Sequence, residues 1–280
     1  MTKVEKWIEA WVKVPQGTLY LDDVPYLNTV EAELRPRNQP LCANAVNPVR
    51  NGQFHFQLGS MPFVGNLRKA QIFFLMINPG VNEDDYQDLR SGDTQQLFER
   101  NRQQELDYCF ALRGNEVPEN AWIPYFRGPA RRGSVFGALI RELRQEGDET
   151  LIDLLETKLA ILELVPYYSQ NSDLITRLQI VDGRDVDKRK SDGASPLRQG
   201  GLPSAQLALD AVAEIAKDEQ NLIVTRWPTG ARRWHLKTNG NLNKDVLVKV
   251  VESHPRQGLC NEAKVAIKTK LREIASERSL

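Results

Sequence analysis

Four short runs of apolar, partly β-branched residues predict buried strands, because each run ends where polar and turn-forming residues begin. They are residues 71–77, 159–165, 222–226 and 246–252. Apolar residues at helical spacing between and after these runs predict helices over residues 94–112, 134–144, 205–217 and 261–276. Ser134 is the predicted N-cap of the second helix. This alternation is typical of an α/β protein, and we expect a doubly wound, mostly parallel four-stranded central sheet with helices on both faces.

The organisation along the chain predicts a single α/β domain over residues 1–280. Residues 182–201 are rich in charge, glycine and serine, and they are predicted to form a mobile loop within that domain because predicted strands of one sheet lie on both sides. Residues 1–65 are predicted to be an N-terminal elaboration. It begins with an amphipathic helix and continues as an irregular segment with many prolines and asparagines.

The composition excludes several classes of protein. A hydrophobic content of 41% is ordinary for a globular protein and argues against disorder. The longest wholly apolar stretch, residues 72–77, is too short to span a bilayer. The charged first helix does not resemble a signal peptide, so we expect a cytoplasmic protein with no membrane partner. The three cysteines lie far apart without zinc-ligand spacing, so we expect reduced thiols and no metal site.

Polar residues follow the predicted strands at the edge where ligands bind in open parallel sheets. Asn78-Pro79-Gly80 comes after the first strand, and His254-Pro255 comes after the fourth. Glu163 interrupts the apolar run of the second strand. Asn-Pro-Gly is also a common turn sequence. An unpaired carboxylate in a buried strand is costly unless it is neutral, paired with an arginine, or facing a cavity.

The combination of these two motifs resembles the active-site motifs of the uracil-DNA glycosylase superfamily. Asn78-Pro79-Gly80 is similar to the first motif of the mismatch-specific branch, and His254-Pro255 is similar to the second motif of the uracil-specific branch. Gly258-Leu259 follows shortly after, as a Gly-Leu pair does in the family. The resemblance covers residues 71–259. It implies an enzyme that flips a pyrimidine out of DNA and hydrolyses its N-glycosidic bond, leaving an abasic site.

The resemblance assigns catalytic roles to Asn78 and His254. Asn78 matches the residue that holds the attacking water, which an uncharged carboxamide orients without acting as a strong base. His254 matches the histidine that donates a hydrogen bond to the carbonyl oxygen of the departing base. We therefore expect a monofunctional glycosylase that needs no cofactor, and we expect a monomer.

Two further positions predict which base is removed. Gly80 stands where uracil-specific relatives have a tyrosine that excludes groups on carbon five, so a methyl or larger substituent would fit; the glycine also suits a turn. Glu163 falls where those relatives have an asparagine that reads the base edge, and a carboxylate favours the exocyclic amine of cytosine. The predicted substrate is a five-substituted cytosine, which resembles that of phage-defence glycosylases. A uracil or thymine mismatch glycosylase is the alternative.

The remaining expected contacts are with DNA, either duplex or single-stranded. Tyr125 and Phe126 are candidates for stacking on the flipped base, with core packing as the equal alternative. Leu259 is the candidate wedge that fills the vacated stack, and Arg256 or Gln257 are the substitutes. Other candidate DNA contacts, for which a solvated face is the alternative, are Arg127, Arg131, Arg132, Ser169, Arg232 and Arg233. A catalytically idle nucleic-acid-binding module of the same fold is the competing hypothesis from another class.

Overall fold

A computed structural model describes residues 1–15, 18–27, 55, 58–77, 79–80, 89–112, 134–168, 202–225, 250–252 and 258–278. The predicted loop over residues 182–201 lies outside these. The chain divides into two compact units. The first unit comprises Met1–Pro62, Ile77–Arg90 and Glu163–Val212, and the second comprises Phe63–Met76, Ser91–Leu162 and Ala213–Leu280. The prediction of one domain over the whole chain stays a prediction.

The second unit is built on a mixed, mostly parallel five-stranded sheet in the order β1-β3-β2-β4-β5. Its strands are β1 Phe63–Val64, β2 Ile72–Met76, β3 Leu159–Glu163, β4 Leu222–Thr225 and β5 Val250–Glu252. Strand β4 pairs in parallel with β2 on one side and β5 on the other, while β1 pairs with β3 antiparallel. The four predicted strands are therefore confirmed. The sheet also contains a fifth strand, β1, which was not predicted because its two residues are too few to show a periodicity.

The helices of the chain are α1 Lys3–Val12, α2 Gly92–Arg102, α3 Gly137–Gln145, α4 Glu149–Lys158, α5 Pro203–Ile215 and α6 Asn261–Glu277, within the described residues. In the second unit, α6 packs against α4 and against strands β4 and β5, and α3 packs against α4. Apolar faces explain this packing: Ala263, Ile267, Leu271 and Ile274 of α6 are all buried. Phe136 stacks edge-on against Phe74 of β2, with ring centroids 5.3 Å apart.

Helix α2 ends well before the predicted boundary at residue 112, so that prediction was wrong. Gln104 has a φ of 58°, a left-handed conformation that terminates the helix. The N–H groups of Gln104 and Glu105 bond back to the carbonyls of Asn101 and Arg100, which is a Schellman motif without glycine. The Gln104 side chain holds this geometry, because its Oε1 accepts from the N–H of Leu67 at 2.6 Å and its Nε2 donates to Asn101 O.

Helix α3 begins later than predicted, and Ser134 is not its N-cap. The cap position is Phe136, which makes no side-chain capping bond. Leu259 N–H donates to the carbonyl of Val135 instead, so this turn is fixed by the backbone. Helix α4 was missed. A Schellman turn at Gly147, whose φ is 77°, separates α3 from α4.

The first unit contains α1 and residues 203–212 of α5. Thr2 caps α1 by accepting from the N–H of Glu5 at 3.0 Å, and Trp7 and Trp11 are fully buried. The predicted amphipathic N-terminal helix is thus confirmed. A short 3-10 turn, Leu21–Asp23, follows it.

Among the described residues, no helix combines the length and the apolar character required to span a membrane.

Candidate functional site

The sheet has an edge at which its parallel strands end together. Leu75 of β2 stands beside Thr225 of β4, and Thr225 stands beside Glu252 of β5. The Asn78 motif follows β2 in the sequence, and the His254 motif follows β5. Strands β2, β4 and β5 therefore end at the same edge, and open parallel sheets bind ligands at such an edge. Asn78 and His254 themselves lie outside the described residues.

The chain beyond β3 is held by hydrogen bonds at nearly every residue, all within the first unit. Glu163 N–H donates to Pro62 O at 2.9 Å, and Met61 N–H donates to Pro166 O at 2.8 Å. On the other side, Val165 N–H donates to the carbonyl of Ile77 at 2.8 Å. Ile77, which precedes Asn78, is therefore bonded to Val165 in the segment that follows Glu163. The chain enters the first motif beside this segment.

A bulge lies directly after Glu163. Pro62 and Met61 are consecutive, yet their bonding partners are Glu163 and Pro166, so Leu164 and Val165 are two extra residues on the β3 side. The pairing resumes between Ser60 and Tyr167. Bulges of this kind bend a strand and re-aim its side chains, and they are over-represented next to active sites.

The carboxyl group of Glu163 is buried, and one of its oxygens has no hydrogen-bond partner among the described residues. Its exposed fraction is 1%, and Oε2 makes no hydrogen bond to any part of the chain that the structure describes. Burial alone raises the pKa of Glu163 well above its ordinary value. A raised pKa favours the neutral acid, which offers both a hydrogen-bond donor and an acceptor. The alternative of a buried ion pair finds no support among the salt bridges of the described residues.

Ser60 adds a second buried polar group of the same kind. It is 5% exposed, and its Oγ makes no hydrogen bond within the described part of the chain. Ser60 stands opposite Tyr167 in the pairing beside β3, on the side of the bulge away from Glu163. Buried polar atoms left without partners are rare in folded proteins, and each one calls for a ligand, a water or a functional role.

Gly80 leaves open space beside its backbone. A Cβ placed there meets no atom of the described residues within 4 Å, and its φ lies outside the left-handed region. The turn itself therefore does not require glycine. The absence of a side chain leaves room for a group on a bound molecule, as the resemblance implies.

Leu259 does not project into solvent in this structure. Its side chain is 6% exposed, and its N–H donates to Val135 O at 3.2 Å. Gly258 before it has a φ of 74°, and a Cβ there would lie 2.7 Å from the carbonyl oxygen of Ser134. A wedge has to reach the DNA stack, so Leu259 would have to move out of this buried position to act as one; its role as the wedge stays a prediction.

The other predicted site residues lie outside the described part of the chain. They are Tyr125, Phe126, Arg127, Arg131, Arg132, Ser169, Arg232, Arg233, Arg256 and Gln257. Across the described residues, no group of three or more His, Cys, Asp or Glu side chains is placed to hold a metal ion. Cys109 is buried, and burial raises the pKa of its thiol, so this cysteine is unreactive.

Sequence reasoning missed a buried polar cluster in the first unit. Asp23, which is fully buried, accepts hydrogen bonds from the Tyr167 hydroxyl at 2.5 Å and from the Ser204 hydroxyl at 2.5 Å. Its other oxygen accepts from the Ser204 N–H at 2.9 Å, in the first turn of α5. Burial raises the pKa of Asp23, and the bonds from Ser204 and Tyr167 act against this rise. No local pattern signals the cluster, because its members are far apart in the sequence.

Comparison of the chain with protein-family models, with curated proteins and with solved structures finds no match. The family resemblance therefore rests on the two motifs alone.

Proposed function

We propose that this protein is a DNA glycosylase of the uracil-DNA glycosylase type, which flips a pyrimidine out of DNA and hydrolyses its N-glycosidic bond. The sequence positions of the two motifs support this proposal, since Asn78 follows β2, His254 follows β5, and both strands pair in parallel with β4. The proposed fold is the doubly wound arrangement of that superfamily, with helices on both faces of the sheet. DNA is the proposed partner.

The observation that carries the proposal is the buried carboxyl of Glu163. An acidic side chain that is 1% exposed and has an oxygen without a partner in the described residues serves no evident purpose in folding. Desolvating such a group costs free energy, about 1 to 3 kcal/mol for an unsatisfied polar group. A flipped base with a polar edge would supply the missing hydrogen bonds.

The carboxyl of Glu163 favours a cytosine-type base. In its protonated form it donates from O–H to ring N3 and accepts from the exocyclic amine, which makes two hydrogen bonds. Uracil presents a ring N–H and a carbonyl oxygen, which the protonated form also satisfies by exchanging the two roles. The ionised form accepts only. It pairs with the cytosine amine or with the uracil ring N–H, and it is repelled by cytosine N3 or by the uracil carbonyl oxygen. Cytosine is thus accepted in both ionisation states, and its exocyclic amine, which uracil lacks, is the group proposed to decide the preference.

The space beside Gly80 extends the proposed substrate class to cytosines with a group on carbon five. A Cβ at this position meets no described atom within 4 Å. Hydroxymethylcytosine and its glucosylated form are bases of this kind, and their removal would act against phage with modified DNA.

Catalysis in this proposal is electrostatic. Asn78 orients the attacking water, and His254 donates a hydrogen bond to the carbonyl oxygen on which negative charge develops as the base departs. The product is an intact abasic site. Because Leu259 is buried, Arg256 and Gln257 are the preferred candidates for filling the vacated stack.

The test is base release from a panel of DNAs that carry uracil, thymine opposite guanine, cytosine, hydroxymethylcytosine or glucosylated hydroxymethylcytosine. Release is read as alkali-labile sites on duplex and single-stranded substrates. Wild type should act on a five-substituted cytosine. Glu163→Met, which keeps the volume but removes both hydrogen-bonding atoms, should lower kcat/KM on that substrate by about 10- to 100-fold.

The matched control is Leu162→Met, one position earlier in β3 and equally buried. This volume-conserving exchange should leave the rate near wild type. Abasic sites in none of the DNAs would leave the idle binding module as the better hypothesis. Equal rates for Glu163→Met and Leu162→Met would remove Glu163 from base recognition.

A further inference from the structure

The buried cluster of Asp23, Tyr167 and Ser204 joins three segments that are remote in the sequence. Asp23 ends the 3-10 turn that follows α1, Tyr167 lies in the segment beyond β3, and Ser204 lies in the first turn of α5. The exposed fractions are 0% for Asp23 and Tyr167 and 2% for Ser204. All three residues belong to the first unit. Water is therefore excluded from their hydrogen bonds.

The chemistry of the cluster suits a fixed anchor. Oδ2 of Asp23 accepts from both hydroxyls, and Oδ1 accepts from the Ser204 N–H. Since every donor points at the carboxyl, each one would lose its partner if the carboxyl moved. Buried groups of this kind hold their partners in one arrangement, because the alternative is an unsatisfied polar atom away from water.

The tie to Tyr167 bears on the position of Glu163. The segment from Glu163 to Tyr168 is bonded through its backbone to Pro62, Ile77, Met61 and His55. Leu164 and Val165, the extra residues of the bulge, lie between those attachments. The Tyr167 hydroxyl attaches this segment to the N-terminal part of the chain through its bond to Asp23. Release of that bond would loosen the end of the bulge that lies beyond Glu163.

We propose that Asp23 and Tyr167 are positioning residues, which hold the bulge after β3 so that the Glu163 carboxyl stays buried and aimed at the base. This inference rests on the proposed function. The N-terminal elaboration is then part of the recognition apparatus, because its 3-10 turn supplies the anchoring carboxylate. Neither residue touches the base; each acts through Glu163.

The experiment compares Tyr167→Phe with Ser204→Ala. Tyr167→Phe removes only the hydroxyl that ties the β3 segment to Asp23. Ser204→Ala removes a hydroxyl bound to the same oxygen but from the α5 side, and it keeps the N–H bond to Oδ1. Both variants remove one buried hydroxyl, so they serve as matched controls for loss of stability. Thermal unfolding should show similar melting temperatures for the two.

The first readout does not depend on catalysis. The carbonyl stretch of the protonated Glu163 carboxyl is followed by infrared difference spectroscopy as pH is varied, with Glu163→Gln used to assign the band. Tyr167→Phe should lower the titration midpoint of Glu163 by about one pH unit, a tenfold change in proton affinity, because water reaches the loosened bulge. Ser204→Ala should leave the midpoint near that of wild type.

The second readout is the ratio of kcat/KM on five-substituted cytosine to kcat/KM on uracil. Introduced into the wild-type protein, Tyr167→Phe should lower this ratio by about fivefold or more. Introduced into Glu163→Gln, it should lower the ratio by less than about twofold, because the effect of Tyr167 acts through the Glu163 carboxyl. An unchanged Glu163 midpoint in Tyr167→Phe, or equal shifts in both variants, would overturn the positioning role whatever the enzymatic activity. Failure of the wild type to release any base would instead overturn the proposed function alone.

Discussion

Replacement of Glu163 by glutamine tests whether this buried carboxyl is neutral in the folded protein. The side chain is 1% exposed, and burial raises its pKa well above the ordinary value. Glutamine has nearly the same size and cannot ionise. We therefore expect the stability difference between wild type and Glu163→Gln to depend on pH.

The sign of this dependence follows from proton binding. The unfolded chain releases the Glu163 proton near an ordinary carboxyl pKa, whereas the folded protein retains it to higher pH. The stabilisation that this proton provides is complete at pH values below the pKa of Glu163 in the unfolded chain. It is lost as pH rises toward the pKa of Glu163 in the folded protein. Within that window, each pH unit costs the wild type about 1.4 kcal/mol relative to the variant.

The assay is urea denaturation of both proteins at several pH values between about pH 5 and pH 8. Glu142→Gln is the control, because Glu142 accepts a hydrogen bond from Lys264 at 2.5 Å on the surface of α3 and this bond lowers its pKa. The contribution of Glu142 is lost only as pH falls below the ordinary carboxyl range, and it is small because the pair is partly exposed, so the difference between wild type and Glu142→Gln should stay constant over the pH range of the assay. A difference between wild type and Glu163→Gln that is constant over the whole range would refute the neutral carboxyl.

Three further substitutions test separate parts of the account. Gly258→Ala should lower the free energy of unfolding by about 1 to 3 kcal/mol, since φ is 74° and the new Cβ would lie 2.7 Å from Ser134 O. An unchanged midpoint of urea denaturation would contradict the expected backbone strain. Gly80→Tyr should fold normally and should block five-substituted cytosines while sparing unsubstituted bases, and equal rates on both would show that carbon five does not face Gly80. His254→Ala should slow base release by about 10²- to 10³-fold in single-turnover measurements, and a loss below about fivefold would indicate another donor.

The fold was predictable where the chain carries an uninterrupted periodic signal. Strands β2, β3 and β4 are wholly buried, so their apolar runs are visible in the sequence. The boundaries of α2 were not predictable, because Gln104 adopts a left-handed conformation that is held by bonds to residues far along the chain, such as Leu67. Tertiary contacts overrode local propensity at this point.

The candidate site was predictable only in part. Glu163 was identified because a charge inside an apolar run stands out, and its burial is confirmed. Asp23 was missed because its partners, Tyr167 and Ser204, lie 144 and 181 positions away, and nothing in the irregular N-terminal segment marks it as buried. A buried polar residue whose hydrogen-bond partners are remote in the sequence produces no periodic pattern by which it could be recognised.

The central claim is tested most directly by analysing the free base released from DNA. DNA containing glucosylated hydroxymethylcytosine is incubated with wild type or with Asn78→Ala, and the small-molecule fraction is separated and identified by mass. The account predicts that wild type releases the modified cytosine as an intact base and leaves the strand unbroken, while Asn78→Ala binds the DNA with similar affinity but releases little base. No free base from any pyrimidine-modified DNA, or equal release by Asn78→Ala, would contradict it.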